Sequence, residues 1–136
     1  MPTTRFDGRT AIVTGAASGI GRATALRLAA DGASVGCLDA SAAVDETVAQ
    51  AIEAGGRAIA AQVDVRGEHS IAAAVGAVED AFGPTRILAN VAGVLRFNHV
   101  TDISVEEWDL LLDVNLRGPF LLARAVIPSM LDHGGG

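Results

Sequence analysis

The sequence contains no tyrosine and no lysine among its 136 residues, and it has one cysteine, Cys37. A lone cysteine excludes an intramolecular disulfide and a cysteine cluster that could hold a metal ion. The three histidines, His69, His99 and His133, do not share the spacing of metal ligands, so we expect no metal site. Chemistry that needs a tyrosine hydroxyl or a lysine amine must draw on residues that this chain does not carry.

The chain also has little positive charge and no long apolar segment. Its formal net charge is −6 and its pI is about 4.8. This acidity argues against nucleic acids and acidic membrane surfaces as partners. No run approaches the length that crosses a bilayer, and residues 1–8 lack the apolar stretch of a signal peptide. We therefore expect a cytoplasmic protein without membrane contact.

Strand and helix patterns alternate along the chain, which predicts one domain built on a parallel sheet that helices cover on both faces. The predicted strands span residues 10–14, 33–39, 57–63 and 86–90. The first predicted helix spans residues 19–31, and the second has a stripe of Val44, Val48 and Ile52. The third has Ile71, Val75, Val78 and Phe82 at helical spacing, and the fourth runs from a capping box at 104–107 toward Met130. The fold class is therefore α/β, with a doubly wound parallel sheet.

A glycine-rich segment lies between the first strand and the first helix, where residues 14–21 read Thr-Gly-Ala-Ala-Ser-Gly-Ile-Gly. In a phosphate-binding turn, Gly15 takes backbone angles closed to other residues, Gly19 lets a pyrophosphate approach, and Gly21 lets the helix pack close to the strand. The free N–H groups and the dipole at the helix start favour the anion. A plain turn rich in glycine and serine is the alternative interpretation.

Asp39 ends the second predicted strand about 20 residues after the glycines, where a dinucleotide site needs a carboxylate for the adenosine ribose. The alternative is a turn or cap role, since Ser41 resembles a helix start. A carboxylate here repels a 2′-phosphate, and neither Ser18 nor Ala40 supplies a compensating cation, although Arg22 could lie close. We therefore predict that NAD is preferred over NADP.

Several motifs together resemble the N-terminal half of a short-chain dehydrogenase/reductase. They are the glycine motif at 14–21, Asp64-Val65, Asn90-Val91-Ala92-Gly93 and Val114-Asn115. The resemblance covers essentially the whole chain and implies a Rossmann-type NAD-binding half-domain, truncated after the fourth helix, acting on an alcohol or ketone. The implied cofactor-binding residues are Gly15, Ser18, Gly19, Ile20, Gly21, Asp39, Asp64, Val65, Asn90, Ala92 and Gly93.

The resemblance also implies individual roles. Asp64 would accept from the adenine amino group, and the Val65 N–H would meet an adenine ring nitrogen. Asn90, Ala92 and Gly93 would lie beneath the cofactor ribose. The family commonly has a second asparagine where this chain has Val91, which removes one polar contact but not the turn.

By the resemblance, Asn115 corresponds to the asparagine of the family's catalytic tetrad. The alternative interpretation is that Asn115 is a buried helix residue whose side chain is satisfied by hydrogen bonds. Pro119 follows four residues later and has no N–H, so the Asn115 carbonyl loses its usual helical donor. That carbonyl could hold the water that the resemblance implies in a proton relay. A simple kink from Gly118 and Pro119 explains the same sequence.

The family's catalytic serine, tyrosine and lysine come after the position where this chain stops. Because the chain has no tyrosine and no lysine, we expect it to be inactive alone. An open edge at the fourth strand and apolar residues on several sides of the fourth helix predict a homo-oligomer through that helix. The alternatives to a dehydrogenase half are a non-catalytic NAD-binding module and an inert fragment that needs a complementing chain.

Overall fold

The computed structural model describes residues 5–136, so the predicted features of residues 1–4 lie outside it. Strands and helices alternate as predicted, and each predicted strand boundary lies within one residue of the observed one. The elements are β1 (Thr10–Thr14), α1 (Gly19–Ala30), β2 (Ser34–Asp39), α2 (Val44–Glu53), β3 (Arg57–Gln62), α3 (Glu68–Phe82), β4 (Thr85–Ala89), α4 (Val105–Leu112), a π-helical turn (Asp113–Arg117) and α5 (Gly118–Asp132).

The four strands form one parallel sheet in the order β3-β2-β1-β4. The chain steps outward from β1 to β2 and β3, and then returns to the opposite side of β1 to form β4. This reversal creates a switch point at the carboxyl ends of β1 and β4, where a crevice opens in sheets of this type. The predicted doubly wound α/β class is confirmed, and β4 forms one edge of the sheet.

Helices cover both faces of the sheet, and each face has its own buried cluster. One cluster joins β1 and β2 to α1 and α2 and includes Val13, Leu28 and Val35. The other joins the opposite face to α3 and α5 and includes Ile12 and Leu122. Because neighbouring side chains of a strand point to opposite faces, Ile12 and Val13 belong to different clusters.

The predicted apolar stripe of α2 is wrong at one end. Val44 is buried and Val48 partly buried, but the other buried residues of the helix are Thr47 and Ala51. Ile52 is 55% exposed. The inward face is thus shifted by one residue from the stripe of larger apolar side chains, and the small residues allow α2 to lie close to its neighbours.

The predicted fourth helix begins as expected but is interrupted. Ser104 Oγ accepts from the Glu107 N–H at 3.1 Å, and Glu107 returns a bond to the Ser104 N–H, which confirms the capping box. The helix passes through the π-helical turn, after which the Gly118 N–H donates to the Asp113 carbonyl. Pro119 then lies in the first turn of α5, a position at which proline is common. None of the helices in residues 5–136 has both the length and the apolar character needed to span a bilayer.

Candidate cofactor-binding site

A cleft of about 540 Å³ opens at the carboxyl ends of the strands, next to the switch point between β1 and β4. Its volume is in the range of pockets that hold small ligands and cofactors. Every predicted cofactor-binding residue except Asn90 lines it. The lining residues are Gly15, Ser18, Gly19, Ile20, Gly21, Asp39, Ala40, Val63, Asp64, Val65, Arg66, Val91, Ala92, Gly93, Val94, Leu110 and Val114.

The three glycines of the loop at residues 15–21, hereafter the glycine loop, face different surroundings. Gly15 has φ +67°, and a Cβ there would lie 2.8 Å from the Ala92 backbone nitrogen. A Cβ on Gly21 would overlap the Gly15 carbonyl, at 2.5 Å from its carbon. Gly19 has φ +52° and nothing within 4 Å of a built Cβ, so its open side is the cleft. Gly21, in the first turn of α1, thus allows this turn to lie close against Gly15, the residue that directly follows β1.

The start of α1 is an uncapped helix N-terminus at the cleft. Ser18 is the N-cap residue in an extended conformation, and its side chain makes no capping hydrogen bond. The first N–H groups of a helix have no acceptor within the helix, which here concerns Gly19, Ile20 and Gly21. With the helix dipole, these donors suit a phosphate or another anion.

Asp39 is fixed by two backbone donors. Its Oδ2 accepts from the Ala17 N–H and its Oδ1 from the Ser41 N–H, both at 2.9 Å. Ser41 does not begin α2 as predicted: its Oγ accepts from the Ala43 N–H in a turn, and the helix starts at Val44. Asp39 therefore has the turn role considered for it and also lines the cleft.

Asp64 and Val65 follow β3, and an arginine missed by sequence reasoning lies beside them. Arg66 Nε lies 3.0 Å from both carboxylate oxygens of Asp64, and its backbone N–H donates to Oδ1. Hydrogen bonds from Arg66 hold the pKa of Asp64 below its ordinary value. Asp64 and Arg66 are exposed at the cleft, whereas Val65 is 8% exposed. The sequence signal that could have predicted this ion pair is the basic residue two positions after Asp64.

Thr14 holds the turn that follows β4. Its Oγ1 accepts from the Val91 and Ala92 N–H groups at 3.0 and 3.1 Å. Because these are backbone donors, the valine at position 91 leaves the turn intact. Asn90 lies outside the cleft lining, and its side-chain amide donates to the Pro119 carbonyl at 3.5 Å. Sequence reasoning included Thr14 in the glycine motif but gave it no role.

The Asn115 side chain binds the loop after β4 and does not line the cleft. Its Oδ1 accepts from the Val94 N–H and its Nδ2 donates to the Val94 carbonyl, each at 2.8 Å. Asn115 lies in the π-helical turn, a distortion that often marks functional sites. Among residues 5–136, no cluster of three histidine, cysteine, aspartate or glutamate side chains could hold a metal ion.

The sequence model of the family described as short chain dehydrogenase matches residues 9–136. This chain belongs to the short-chain dehydrogenase family. It is 43% identical over 135 residues to the D-threitol dehydrogenase of Mycolicibacterium smegmatis, a match that covers 97% of this chain and 51% of that protein. The chain spans about half the length of the curated relatives that it matches, 44% and 51% for two of them.

Solved structures of the family share the fold. A metagenomic short-chain oxidoreductase in complex with NADP superposes with a TM-score of 0.91 at 35% identity, covering 96% of this chain and 60% of that one. Carveol dehydrogenase from Mycobacterium avium in complex with NAD gives a TM-score of 0.91 at 29% identity, covering 97% of this chain and 53% of that one. The family binds nicotinamide cofactors, and these two neighbours carry different ones.

Proposed function

We propose that this chain is the cofactor half of an NAD-dependent oxidoreductase that transfers a hydride between NAD and an alcohol or ketone. The observation that carries the proposal is one cleft at the carboxyl ends of the strands. It brings together the uncapped start of α1 and the carboxylate of Asp39. These groups suit the pyrophosphate and the ribose hydroxyls of a dinucleotide.

The other residues of the cleft suit the remaining parts of the cofactor. Asp64, Val65, Ala92 and Gly93 all line the cleft. As the family resemblance implies, Asp64 and Val65 would contact the adenine, and Ala92 and Gly93 would lie beneath the cofactor ribose. Asn90 has its amide near the Pro119 carbonyl, and its part in the ribose floor belongs to the proposal. The bound nicotinamide ring would supply or accept the hydride; the residues named here bind and orient it.

A preference for NAD over NADP is part of this proposal. The two arginines near the cleft are both occupied by carboxylates: Arg22 contacts Glu46 at 3.2 Å, and Arg66 contacts Asp64 at 2.6 Å. Asp39 is therefore left to repel a 2′-phosphate. Two unit charges about 4 Å apart interact by about 4 kcal/mol at an effective dielectric constant near 20.

The catalytic groups are divided between this chain and another source. Asn115 is the residue we assign to the family's tetrad, through its side chain on Val94 or through its backbone carbonyl and a bound water. A tyrosine and a lysine must come from a further segment or a second chain, because these 136 residues contain neither. A binding module without turnover is the second candidate, favoured by that same absence.

Self-association through α4 and α5 is also proposed. Family members commonly form oligomers. Large apolar side chains along these helices and the π-helical turn between them are exposed, among them Trp108 at 53%, Leu116 at 67% and Phe120 at 57%. A second copy would cover this face. A cytoplasmic location is part of the proposal and agrees with a buried free thiol at Cys37.

Calorimetric titrations of the chain with NAD and with NADP test the proposed function. We expect NAD to bind at least about tenfold more tightly, a difference of about 1.4 kcal/mol. Asp39→Asn should reduce this difference, whereas Asp80→Asn on the exposed face of α3 should leave it unchanged. Tighter binding of NADP would contradict the cofactor preference, and no binding of either would contradict the function.

A further inference from the structure

Two side chains outside the cleft lining, Arg22 of α1 and Thr47 of α2, bind the back of the glycine loop. Thr47 Oγ1 donates to the Ala16 carbonyl at 2.7 Å. Arg22 donates from its terminal nitrogen to the Ala17 carbonyl at 2.5 Å and from Nε to Thr47 Oγ1 at 2.9 Å. Glu46 contacts the same terminal nitrogen of Arg22 at 3.2 Å. The loop is thus tied to α2 by hydrogen bonds that involve no cleft residue.

These bonds complete the hydrogen bonding of the Ala16 and Ala17 backbone. The Ala16 N–H donates to the Leu38 carbonyl at 3.1 Å, and the Ala17 N–H donates to Asp39 at 2.9 Å. Both alanines are buried, so each of their four polar backbone atoms needs a partner, and each has one within the protein. The protein therefore fixes this part of the loop before any ligand binds.

We propose that Thr47 and Arg22 are positioning residues for the cofactor's pyrophosphate. Thr47 of α2 holds the Ala16 carbonyl oxygen and Arg22 of α1 holds the Ala17 carbonyl oxygen. A carbonyl oxygen turned toward the cleft would instead repel a phosphate. The loop can then present Gly19 and the N–H groups of the first turn of α1 to the anion. Preorganisation of this kind raises affinity because the loop pays no ordering cost on binding.

Of the two residues, Thr47 is the one whose replacement is expected to disturb the loop more. It is fully buried, and its hydroxyl both accepts from Arg22 and donates to Ala16. Thr47→Val keeps the shape of the side chain but leaves the Ala16 carbonyl and Arg22 Nε without this partner. An unsatisfied buried group is costly, so the loop should shift to find another partner.

Arg22 has the same role from the α1 side. Because its donors are directed to Thr47, Ala17 and Glu46, we assign it to the loop and not to a cofactor phosphate. This inference rests on the proposed function, since it concerns the affinity of the same cleft for a dinucleotide.

The test compares NAD with adenosine, which carries the base and ribose but no phosphate, by titration of the wild-type chain and its variants. Thr47→Val should weaken NAD binding about tenfold and change adenosine binding less than about twofold. Thr47→Ser, which keeps the hydroxyl, should restore most of the NAD affinity. Thr85→Val is the matched control, because Thr85 is also fully buried but its hydroxyl has no partner among the described residues.

The outcomes separate the two proposals. If the wild-type chain does not bind NAD, the proposed function fails and this inference fails with it. If the wild-type chain binds NAD and Thr47→Val binds it equally well, only the inference fails. An equal loss for NAD and adenosine would reduce Thr47 to a structural role and overturn the inference. If Thr47→Val does not fold, Arg22→Met decides in its place, with the same phosphate-selective loss expected.

Discussion

The two sides of the cleft differ in how well the chain supports them. On one side, all five residues of β1 are buried, and β2 is buried up to Asp39. Thr47 of α2 and Arg22 of α1 bind the glycine loop, and Thr14 at the end of β1 binds the turn after β4. On the other side, β4 is only partly buried after Thr85, and neither α4 nor the π-helical turn contains a buried residue.

The difference in burial between the two sides parallels the proposed separation of cofactor binding from catalysis. In the proposed function, the pyrophosphate and the adenosine ribose of the dinucleotide would bind on the side that the chain completes by itself. Asn115, the one residue assigned to catalysis, falls on the side that lacks a cover. Large apolar side chains such as Phe97 and Leu116 remain exposed there, at 90% and 67%. We infer that the exposed side is completed by further protein, from the same chain or from a second copy.

The largest expected effect on NAD binding comes from a substitution on the buried side of the cleft. In Gly21→Ala the new methyl group overlaps the Gly15 carbonyl, so the glycine loop must move. We expect NAD binding to fall at least about a hundredfold, which corresponds to about 2.7 kcal/mol. Gly76→Ala in α3 is the control, since its added Cβ meets nothing within 4 Å. That variant should bind normally and be more stable by up to about 1 kcal/mol. Equal binding by Gly21→Ala and wild type, in a calorimetric titration, would refute the close packing of the loop.

A second change affects the exposed side alone. Leu116→Glu puts a charge into the π-helical turn, at the centre of the apolar face formed with α4 and α5, where a partner would have to bury it. We expect the oligomer to dissociate to monomer in analytical ultracentrifugation while NAD binding persists. Ile52→Glu on α2, at a similarly exposed apolar position, should leave the oligomer intact. Dissociation by both variants, or by neither, would argue against this face as the interface.

The pH dependence of stability reports on the core of the buried side. Burial raises the pKa of the Cys37 thiol from 9.0 to about 11. Between these values the unfolded chain loses the thiol proton while the native chain keeps it, so stability falls as pH rises. The loss is about 2 to 3 kcal/mol across this window. No lysine or tyrosine titrates over the same range in this chain, which isolates the thiol.

Urea unfolding at a series of pH values measures this slope, and Cys37→Ala supplies the comparison. The variant starts less stable because of the smaller side chain, but its stability should be nearly constant from pH 9 to 11. The same decline in both proteins would show that another process causes it.

The smallest effect concerns the buried end of β4. Thr85 Oγ1 has no hydrogen-bond partner among the described residues, although the side chain is fully buried. Thr85→Val replaces that hydroxyl with a methyl group of the same shape and removes the cost of desolvating it. We expect about 1 kcal/mol of added stability in urea unfolding, with NAD binding unchanged. A loss of stability would mean that the hydroxyl makes a bond that the structure does not show.

Much of the fold could be predicted because the local signals agree with one another. Gly32 and Gly83 end helices at positive φ, as their positions after apolar helical segments indicate. The capping box at Ser104 is another local signal, and it predicts the start of α4 correctly. The predicted stripe of α2 is wrong at Ile52, which is exposed. A helix that packs closely on its neighbours turns small residues such as Ala51 inward, and side-chain hydrophobicity alone does not predict this. The π-helical turn has no such local pattern; Pro119 signals only that the regular ladder is interrupted.

The positions of the site residues were easier to predict than the bonds that hold them. Strand ends can be read from the sequence, and in a parallel sheet they meet at one edge, which places Asp39 and Asp64 in one cleft. The Thr47 hydroxyl binds Ala16 of the glycine loop, 31 positions away, and Arg22 Nε donates to Thr47, 25 positions away on the neighbouring helix. No local pattern specifies such pairings, since they depend on how α1 and α2 pack together.

The most direct test of the central claim is an amide-resolved NMR titration of the chain with NAD. We expect the largest chemical-shift changes at Gly19, Ile20, Asp39 and Asp64, with no change at Phe97 and His133. Those shifts would show that the chain builds the dinucleotide site with its own residues. Shifts confined to the exposed side, or none in the glycine loop at saturating NAD, would contradict the account.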